Sequence, residues 1–283
     1  MRDELPHRGP VAVADPARPV PPARMALLRG GRPLKRWRYV GAYGPDLMVC
    51  AATVRIGPAG QSWTAAWDRR GRRLVETFSF RAGRVDLAPG RVRGGGRRLV
   101  LDLRTDEATS AAHPVEVTSR HGAQHIWTRK RPVRVHGSVL IDGVPHALDA
   151  AGLIDDSAGY HARRTDWRWS AGVGTLRDGR DVVWNLVDGV HDAPVDSERT
   201  VWVAGRAHEV APVTFLSELA GIDFAEGGAG LRCAIEAERA RHDDLLLARS
   251  DYRQPFGTFT GTLPGAGELA VGYGVMEEHS VRW

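Results

Sequence analysis

The sequence predicts an all-β protein built from two antiparallel barrels or sandwiches. Short runs of alternating apolar and polar residues recur from residue 34 to the end of the chain. Gly, Pro and Asp residues separate these runs at regular spacing, and no strand alternates with a helical pattern as in a doubly wound fold. The 283 residues are enough for two domains of roughly 100–200 residues each.

The first half of the chain contains strand-like runs bounded by turn residues. Leu-Val-Leu-Asp-Leu at residues 99–103 is typical, because its apolar residues alternate or are β-branched. Strands are predicted at residues 37–40, 47–56, 62–68, 73–80, 97–103 and 115–119.

The second half contains four predicted hairpins, each with a short turn sequence such as Asp-Gly between two strand-like runs. Their turns are predicted at Asp142-Gly143, Asp178-Gly179, Ala204-Gly205 and Pro264-Gly265. Residues 234–249 are ambiguous, because their composition favours a helix but their apolar residues alternate. We predict a strand hairpin there, with a turn at His242-Asp243-Asp244, because every neighbouring element is β.

The domain organisation is predicted as an arm and two β domains. Residues 1–24 contain six prolines, so we expect an extended arm that does not pair into a sheet. The N-terminal β domain is predicted at 25–132 and the C-terminal one at 133–283, because Arg129–Pro132 is polar and ends in proline. The absence of an apolar leader in the arm and the presence of only two cysteines favour a cytoplasmic location, and no run is long enough for a membrane span.

The charge balance is basic, with a net charge of +5 and arginine at all but two of the 39 Lys and Arg positions. Clusters such as Arg69–Arg73, Arg91–Arg98 and Arg129–Arg131 could neutralise phosphates. However, acidic residues are interspersed and no nucleic-acid motif accompanies the clusters, so we interpret them as solvated turns and predict no nucleic-acid partner. We also predict no metal and no organic cofactor, because no zinc-ligand spacing, phosphate loop or nucleophile elbow is present.

Several long motifs resemble the bacterial family catalogued as domain of unknown function 2804. They begin with the segment VHGSVLIDGVPHALDAAGLIDDSAGYHARRTDWRWSAGVGTLRDGRDVVWNLVD at 135–188 and continue with GVHD at 189–192, Glu198, VWV at 201–203, the Tyr252-x-Gln254-Pro255-Phe256-Gly257 segment and GVMEEH at 274–279. The resemblance covers roughly residues 20–283. The family name implies no particular chemistry.

A wider resemblance links residues 152–159 to carotenoid 1,2-hydratase and its relatives, which are tandem lipocalin-like (calycin) proteins. Asp155-Asp156-Ser157-Ala158-Gly159 stands where that superfamily has Asp-His-Glu-Trp-Gly. The acid and the glycine match, but the His, Glu and Trp are absent, so carotenoid hydration itself does not carry over. The resemblance implies two lipocalin-like halves and a small lipophilic ligand that is hydrated, cyclised or isomerised without a cofactor.

Four residues are candidates for catalysis by proton transfer: Asp155, Asp156, Tyr160 and His161. A carboxyl that faces inward would have a raised pKa and could protonate a weakly basic substrate. The alternative is that either aspartate shapes a loop through backbone hydrogen bonds, and that the histidine is structural.

Seven further residues are candidates for ligand binding: Trp167, Trp169, Asn185, His191, Gln254, Glu278 and His279. Trp167 and Trp169 share one face of a strand, which makes them either core residues or a pocket wall. Three function classes therefore remain open: a lyase or isomerase, a non-catalytic carrier with the same pocket, and a basic interaction module.

Overall fold

The structure is a computed structural model that describes residues 5–10, 25–245 and 248–283. Its elements are 22 β-strands and two three-residue 3₁₀ helices, Ala82–Arg84 and Ser217–Leu219. Almost all strands belong to two large antiparallel sheets that curl like half-barrels, so the all-β prediction is confirmed. Within the described parts of the chain, none of the helical segments has the length and apolar character that crossing a membrane requires.

The first sheet has eleven strands, in the order β7-β6-β5-β4-β13-β12-β10-β9-β8, with β11 also paired to β12 and β1 to β11. Its strands are β1 His7–Arg8, β4 Lys35–Tyr43, β5 Leu47–Ile56, β6 Ala59–Asp68, β7 Arg73–Ser79, β8 Val85–Asp86, β9 Arg91–Gly95, β10 Leu99–Thr105, β11 Val115–His121, β12 Gln124–Ile141 and β13 Val144–Gly159. Two short strands, β2 Leu28–Arg29 and β3 Arg32–Pro33, form a separate hairpin.

The second sheet has nine strands, in the order β17-β16-β15-β14-β22-β21-β20-β19-β18. They are β14 Arg164–Leu176, β15 Asp181–Asp188, β16 Thr200–Val203, β17 Arg206–Glu209, β18 Val213–Phe215, β19 Gly221–Phe224, β20 Gly230–Leu245, β21 Ala248–Leu263 and β22 Gly267–Arg282.

All four predicted hairpins in the second half are present. Residues 234–249 also form a hairpin, as β20 pairs with β21 in a register that joins Leu245 to Ala248. The turn predicted at His242-Asp243-Asp244 is wrong, because all three residues lie within β20. The two residues between the strands, 246 and 247, lie outside the described residues.

The sheets divide at a different place from the predicted domain boundary. Strand β12 runs without interruption through residues 129–136, and Pro132 is accommodated opposite Leu153 of β13. The first sheet therefore extends to Gly159, and the second begins at Arg164. The predicted arm also differs within residues 5–10, where His7 and Arg8 pair with β11 between two prolines.

Three large hydrophobic cores and a small cluster around Met25 and Tyr160 form among the described residues. One lies within each curled sheet, and a third joins the two sheets through residues such as Met48, Phe256 and Val275. Alternate residues of β5 enter different cores, because Val49 belongs to the first core and Cys50 to the intersheet core. Burial on both faces explains why this strand is almost continuously apolar.

The arginine clusters are largely paired with carboxylates. Examples are Arg70 with Asp46 at 2.7 Å, Arg93 with Asp102 at 2.8 Å and Arg98 with Asp142 at 2.8 Å. The cluster at 129–131 does not lie in a solvated turn. It lies within β12, and Lys130 is only 3% exposed.

Candidate functional site

A cavity of about 200 Å³ lies between the two sheets. This is less than the ~300–1,000 Å³ of sites for drug-sized ligands. It therefore fits a small molecule or one part of a larger one. The residues at its floor are buried, whereas Ile56, Asp243, Ser250 and Trp283 form a partly exposed rim.

The first sheet contributes a wall of side chains that are direct neighbours across the strands. One row crosses six adjacent strands at matching register positions and consists of Lys130, Asp155, Tyr39, Ala52, Trp63 and Phe78. The next row towards the rim contains Ser157, Trp37, Val54 and Gln61. The period of two along each strand places both rows on the same face.

The second sheet supplies the opposite wall. Trp167 of β14 pairs with His279 of β22. His279 pairs on its other side with Tyr252 of β21, and Tyr252 pairs with Arg241 of β20. Towards the floor, Trp169 pairs with Glu277. Aromatic rings therefore face the cavity from both sheets, which gives it mainly apolar walls.

The floor contains a buried cluster of three charged residues. The Lys130 Nζ atom lies 2.7 Å from Asp155 Oδ2 and 3.3 Å from Glu198 Oε1. Burial raises the pKa of Glu198 to about 7, and the nearby charge of Asp155 acts in the same direction while that of Lys130 opposes it. Burial alone would lower the pKa of Lys130, but the two carboxylates raise it above its ordinary value. Asp155 suffices to balance the ammonium, so Glu198 can hold a proton near neutral pH.

Neutral hydrogen-bond partners hold this cluster in position. Ser157 Oγ donates to Asp155 Oδ1 at 3.2 Å. Asn185 Nδ2 donates to the backbone oxygen of Glu198 at 3.0 Å, and its Oδ1 accepts from Trp169 Nε1 at 2.7 Å. Asn185 therefore links the floor of the cavity to one of its tryptophan walls.

A second buried carboxyl, that of Glu277, lies on the wall opposite Asp155. It accepts hydrogen bonds from Trp167 Nε1 at 2.8 Å, Tyr252 OH at 2.9 Å and Gln254 Nε2 at 3.1 Å. Burial raises its pKa although these donors favour the charged form. The nearby Arg239 guanidinium lies 3.9 Å from the Trp63 ring centroid and donates to Tyr252 OH at 3.1 Å.

Three histidines line the cavity, and burial lowers the pKa of each. The pKa of His279 falls to about 3, and its Nε2 atom lies 2.8 Å from Ser250 Oγ. His191 Nδ1 lies 2.9 Å from Ser119 Oγ. His161 packs on Trp37 with ring centroids 4.8 Å apart, and its Nδ1 atom has no partner among the described residues. All three rings are therefore neutral at pH 7.

Six of the residues singled out by sequence line this cavity, and five do not. The six are Asp155, His161, Trp167, Trp169, His191 and His279, and the five are Asp156, Tyr160, Asn185, Gln254 and Glu278. Asp156 points to the other face of β13, where it pairs with Arg38 and Arg129. The Tyr160 hydroxyl donates to the backbone oxygen of Ala26.

The other three residues outside the cavity also have clear structural partners. Asn185 and Gln254 are fully buried behind the lining, where they orient Glu198 and Glu277. Glu278 faces away from Glu277 on the same strand and pairs with Arg168 at 3.0 Å. Alternation along a strand explains why Asp156 and Glu278 do not line the cavity, because each is adjacent to a residue that does.

Sequence reasoning missed Lys130, Glu198, Arg239, Tyr252 and Glu277 as members of one site. The charge pattern places Lys130 in the Arg129–Arg131 cluster, which predicts a solvated turn. The signal for a different role is that Lys130 is one of only two lysines among 39 Lys and Arg residues. Glu198 lies in an irregular segment before β16, so no strand alternation predicts which way its side chain faces. Among residues 5–10, 25–245 and 248–283, no group of three or more His, Cys, Asp or Glu side chains could hold a metal ion.

The fold and the cavity define a class, the tandem lipocalin-like β proteins, in which two curled antiparallel sheets lie side by side. Within that class, the chain belongs to the family described as Domain of unknown function (DUF2804), whose family model matches residues 84–283. The match begins further along the chain than the motif resemblance from about residue 20. No curated protein matches the sequence.

Two solved structures share this fold at low sequence identity. A Nitrosomonas europaea protein provisionally named AttH aligns with a TM-score of 0.54 and 14% identity, over 86% of this chain and 91% of its own. Kievitone hydratase from Nectria haematococca aligns with a TM-score of 0.54 and 11% identity, over 86% of this chain and 88% of its own. The predicted resemblance to hydratase-like tandem lipocalin folds is therefore confirmed for the fold.

Proposed function

We propose that this protein binds a small, largely apolar molecule between its two sheets and transforms it by proton transfer, as a hydratase, cyclase or isomerase. The observation that carries the proposal is the position of Glu198. Its carboxyl is 2% exposed, lines an aromatic cavity, and has a pKa near 7. A general acid works best when its pKa lies near the working pH.

The roles of the floor residues follow from their contacts. Glu198 donates a proton to the substrate, and the adjacent Lys130 ammonium stabilises the carboxylate that remains. Asp155 keeps Lys130 charged throughout. Other groups of the cavity lining that can accept a proton are the buried Glu277 and the three neutral histidines, His161, His191 and His279. The similarity in fold to kievitone hydratase supports this class of reaction, because the name of that protein states hydration.

The test compares the small molecules that co-purify with the native protein and with Glu198→Gln. Organic extracts of both proteins are compared by mass spectrometry, and Glu226→Gln, at a surface loop position, is the matched control. We expect Glu198→Gln to retain a substrate that the native protein has converted. A difference of one water indicates a hydratase, and equal masses with different retention indicate a cyclase or isomerase.

The alternative is a non-catalytic carrier that uses the same cavity. Identical ligands in the native protein and in Glu198→Gln, with no deuterium incorporated during incubation in D₂O, would favour the carrier. If neither preparation contains a bound small molecule, the result would count against both the enzyme and the carrier. The basic interaction module has less support, because the arginine clusters are largely paired with carboxylates.

A further inference from the structure

The second lysine of the chain, Lys35, lies behind the cavity lining, in contact with the lining residues His161 and Trp283. Lys35, Trp37 and Tyr39 alternate along β4 and share its inner face. Lys35 pairs with Gly159 on one side and with the rim residue Ile56 on the other. Although it lies near the rim, Lys35 is only 1% exposed.

The ammonium of Lys35 has too few acceptors. Its Nζ atom donates to the backbone oxygen of His161 at 3.4 Å and lies 4.5 Å from the centroid of the Trp283 ring. No carboxylate in the described parts of the chain forms an ion pair with it. An ammonium has three hydrogens to donate, and burying a charge without an opposite charge is costly. Accordingly, burial and the charge of Arg32 lower the pKa of Lys35 to about 8.

Around Lys35 lie a donor, Trp283 Nε1, an imidazole nitrogen that donates in one neutral tautomer, His161 Nδ1, and a second positive charge, Arg32. His161 Nδ1 and Trp283 Nε1 are buried and have no hydrogen-bond partner among the described residues. Arg32 approaches from β3 and donates to the backbone oxygens of His121 and Tyr160, both at 3.5 Å. His121 lies at the end of β11, with its ring centroid 5.5 Å from that of His161. Asp192 raises the pKa of His121 against a larger effect of burial.

The contrast with Lys130 shows what is missing. Both lysines are buried on the inner face of the first sheet, but Lys130 contacts two carboxylates whereas Lys35 contacts none within the described parts of the chain. Polar groups in a protein interior are normally paired, so a buried ammonium without an anionic partner, next to two unpartnered polar atoms of the cavity lining, indicates a ligand that supplies the acceptors.

We propose that Lys35, His161 and Trp283 form an anion-binding subsite, so that the ligand of this cavity is an apolar molecule with one carboxylate or phosphate group. This inference rests on the proposed function. The anionic end lies at the rim, the apolar part lies between the tryptophan walls, and the opposite end reaches Glu198. His161 and Trp283 belong to the cavity lining and connect the two regions.

The experiment measures the affinities of octanoate, 1-octanol and inorganic phosphate by calorimetry and tryptophan fluorescence. These probes separate an anionic apolar ligand, a neutral one and a free anion. The variants are Lys35→Met, which removes the charge, Lys35→Arg, which keeps it, and Trp283→Phe, which keeps the ring without its N–H. Arg104→Met, which removes a charge from an exposed position of β10, is the matched control.

We expect native protein to bind octanoate about tenfold more tightly than 1-octanol, as one charge-assisted hydrogen bond can provide. Lys35→Met should abolish this preference and leave 1-octanol binding unchanged, while Lys35→Arg and the control preserve it. The preference should also weaken as the pH rises through about 8, because Lys35 then loses its charge. His121 and His161 are already neutral there, and Arg32 stays charged.

Three results would overturn the inference. Equal affinities for octanoate and 1-octanol in native protein would refute the anionic end of the ligand while leaving the apolar pocket intact. Phosphate binding as tight as that of octanoate would show an anion site unrelated to the cavity. If neither eight-carbon probe binds, the proposed pocket function fails together with this inference.

Discussion

Asp155 and Asp156 are neighbours in the chain, but their carboxylates lie on opposite faces of β13. Asp155 faces the intersheet cavity and contacts Lys130 at 2.7 Å. Asp156 faces outward, where Arg38 and Arg129 each approach it to 2.8 Å. The pair therefore provides its own internal control for the effect of removing a carboxylate.

The first prediction is that Asp155→Asn destabilises the protein more than Asp156→Asn. Removing one partner of a buried ion pair costs about 3–5 kcal/mol, and the presence of Glu198 beside Lys130 should reduce this to about 2 kcal/mol. We expect a smaller cost for Asp156→Asn, because the side chains of its partners Arg38 and Arg129 are 17% and 29% exposed whereas that of Lys130 is 4% exposed. Urea unfolding at pH 7 measures both values. Equal costs would contradict the assignment of the two faces.

The second prediction concerns the pH dependence caused by Glu198. Its pKa is about 7 in the folded protein and near the ordinary 4.5 in the unfolded chain. Between these values the folded state binds more protons than the unfolded state, so this group's contribution to stability falls as the pH rises from 4.5 to 7. Glu198→Gln imitates the protonated form and lacks this loss.

The measurement is the difference in unfolding free energy between Glu198→Gln and native protein. It should shift in favour of the variant by roughly 2–3 kcal/mol between pH 4.5 and pH 7 and stay constant above that. Glu277, whose pKa burial also raises, is present in both proteins and cancels in the difference. A difference that does not change with pH would mean that Glu198 titrates normally.

The third prediction is that Asn185→Leu separates Trp169 from Glu198. Leucine has a similar size but cannot accept from Trp169 Nε1 or donate to the backbone oxygen of Glu198. Each buried group left without a partner costs about 1–3 kcal/mol, so we expect a total loss of roughly 2–4 kcal/mol in urea unfolding. Thr64→Val, at a fully buried position of β6 where the lost hydroxyl leaves one partner, Thr77 Oγ1, is the control for loss of one polar group. A cost for Asn185→Leu no larger than that of the control would contradict the linking role.

The sequence predicts the fold much better than the site, for a physical reason. Alternation and turn residues are local signals, so hairpins such as the one at Asp142-Gly143 can be identified from a few residues. The cavity depends on which face of each strand meets the other sheet, and a shift of one residue reverses that choice. This is why Asp155 and His279 face the cavity while Asp156 and Glu278 do not.

The partners of Lys130 illustrate the remaining difficulty. Asp155 is its neighbour across a strand pair, which the hairpin register could have shown. Glu198 comes from an irregular segment 68 positions further along the chain (130 to 198), and only the packing of the two sheets brings it to 3.3 Å. Long-range contacts of this kind leave no pattern in a single sequence.

The fourth prediction is that Arg8 holds the segment that carries Glu198. Arg8 lies on β1, its guanidinium donates to the backbone oxygen of Ser197, and its Nη2 atom lies 2.9 Å from Thr200 Oγ1. These two acceptors flank Glu198, whose own backbone N–H donates to the oxygen of His191 at 3.0 Å. Losing the Arg8 contacts should therefore make opening of this segment easier.

We expect Arg8→Ala to speed hydrogen exchange at the Glu198 amide by about tenfold, the equivalent of about 1.4 kcal/mol. Exchange in β21, on the far side of the second sheet, should not change. Arg104→Ala, on the exposed face of β10, is the matched control. An unchanged Glu198 exchange rate in Arg8→Ala would show that Arg199, which donates to the backbone oxygens of Asp192 and Val210, holds the segment without help from the N-terminal strand.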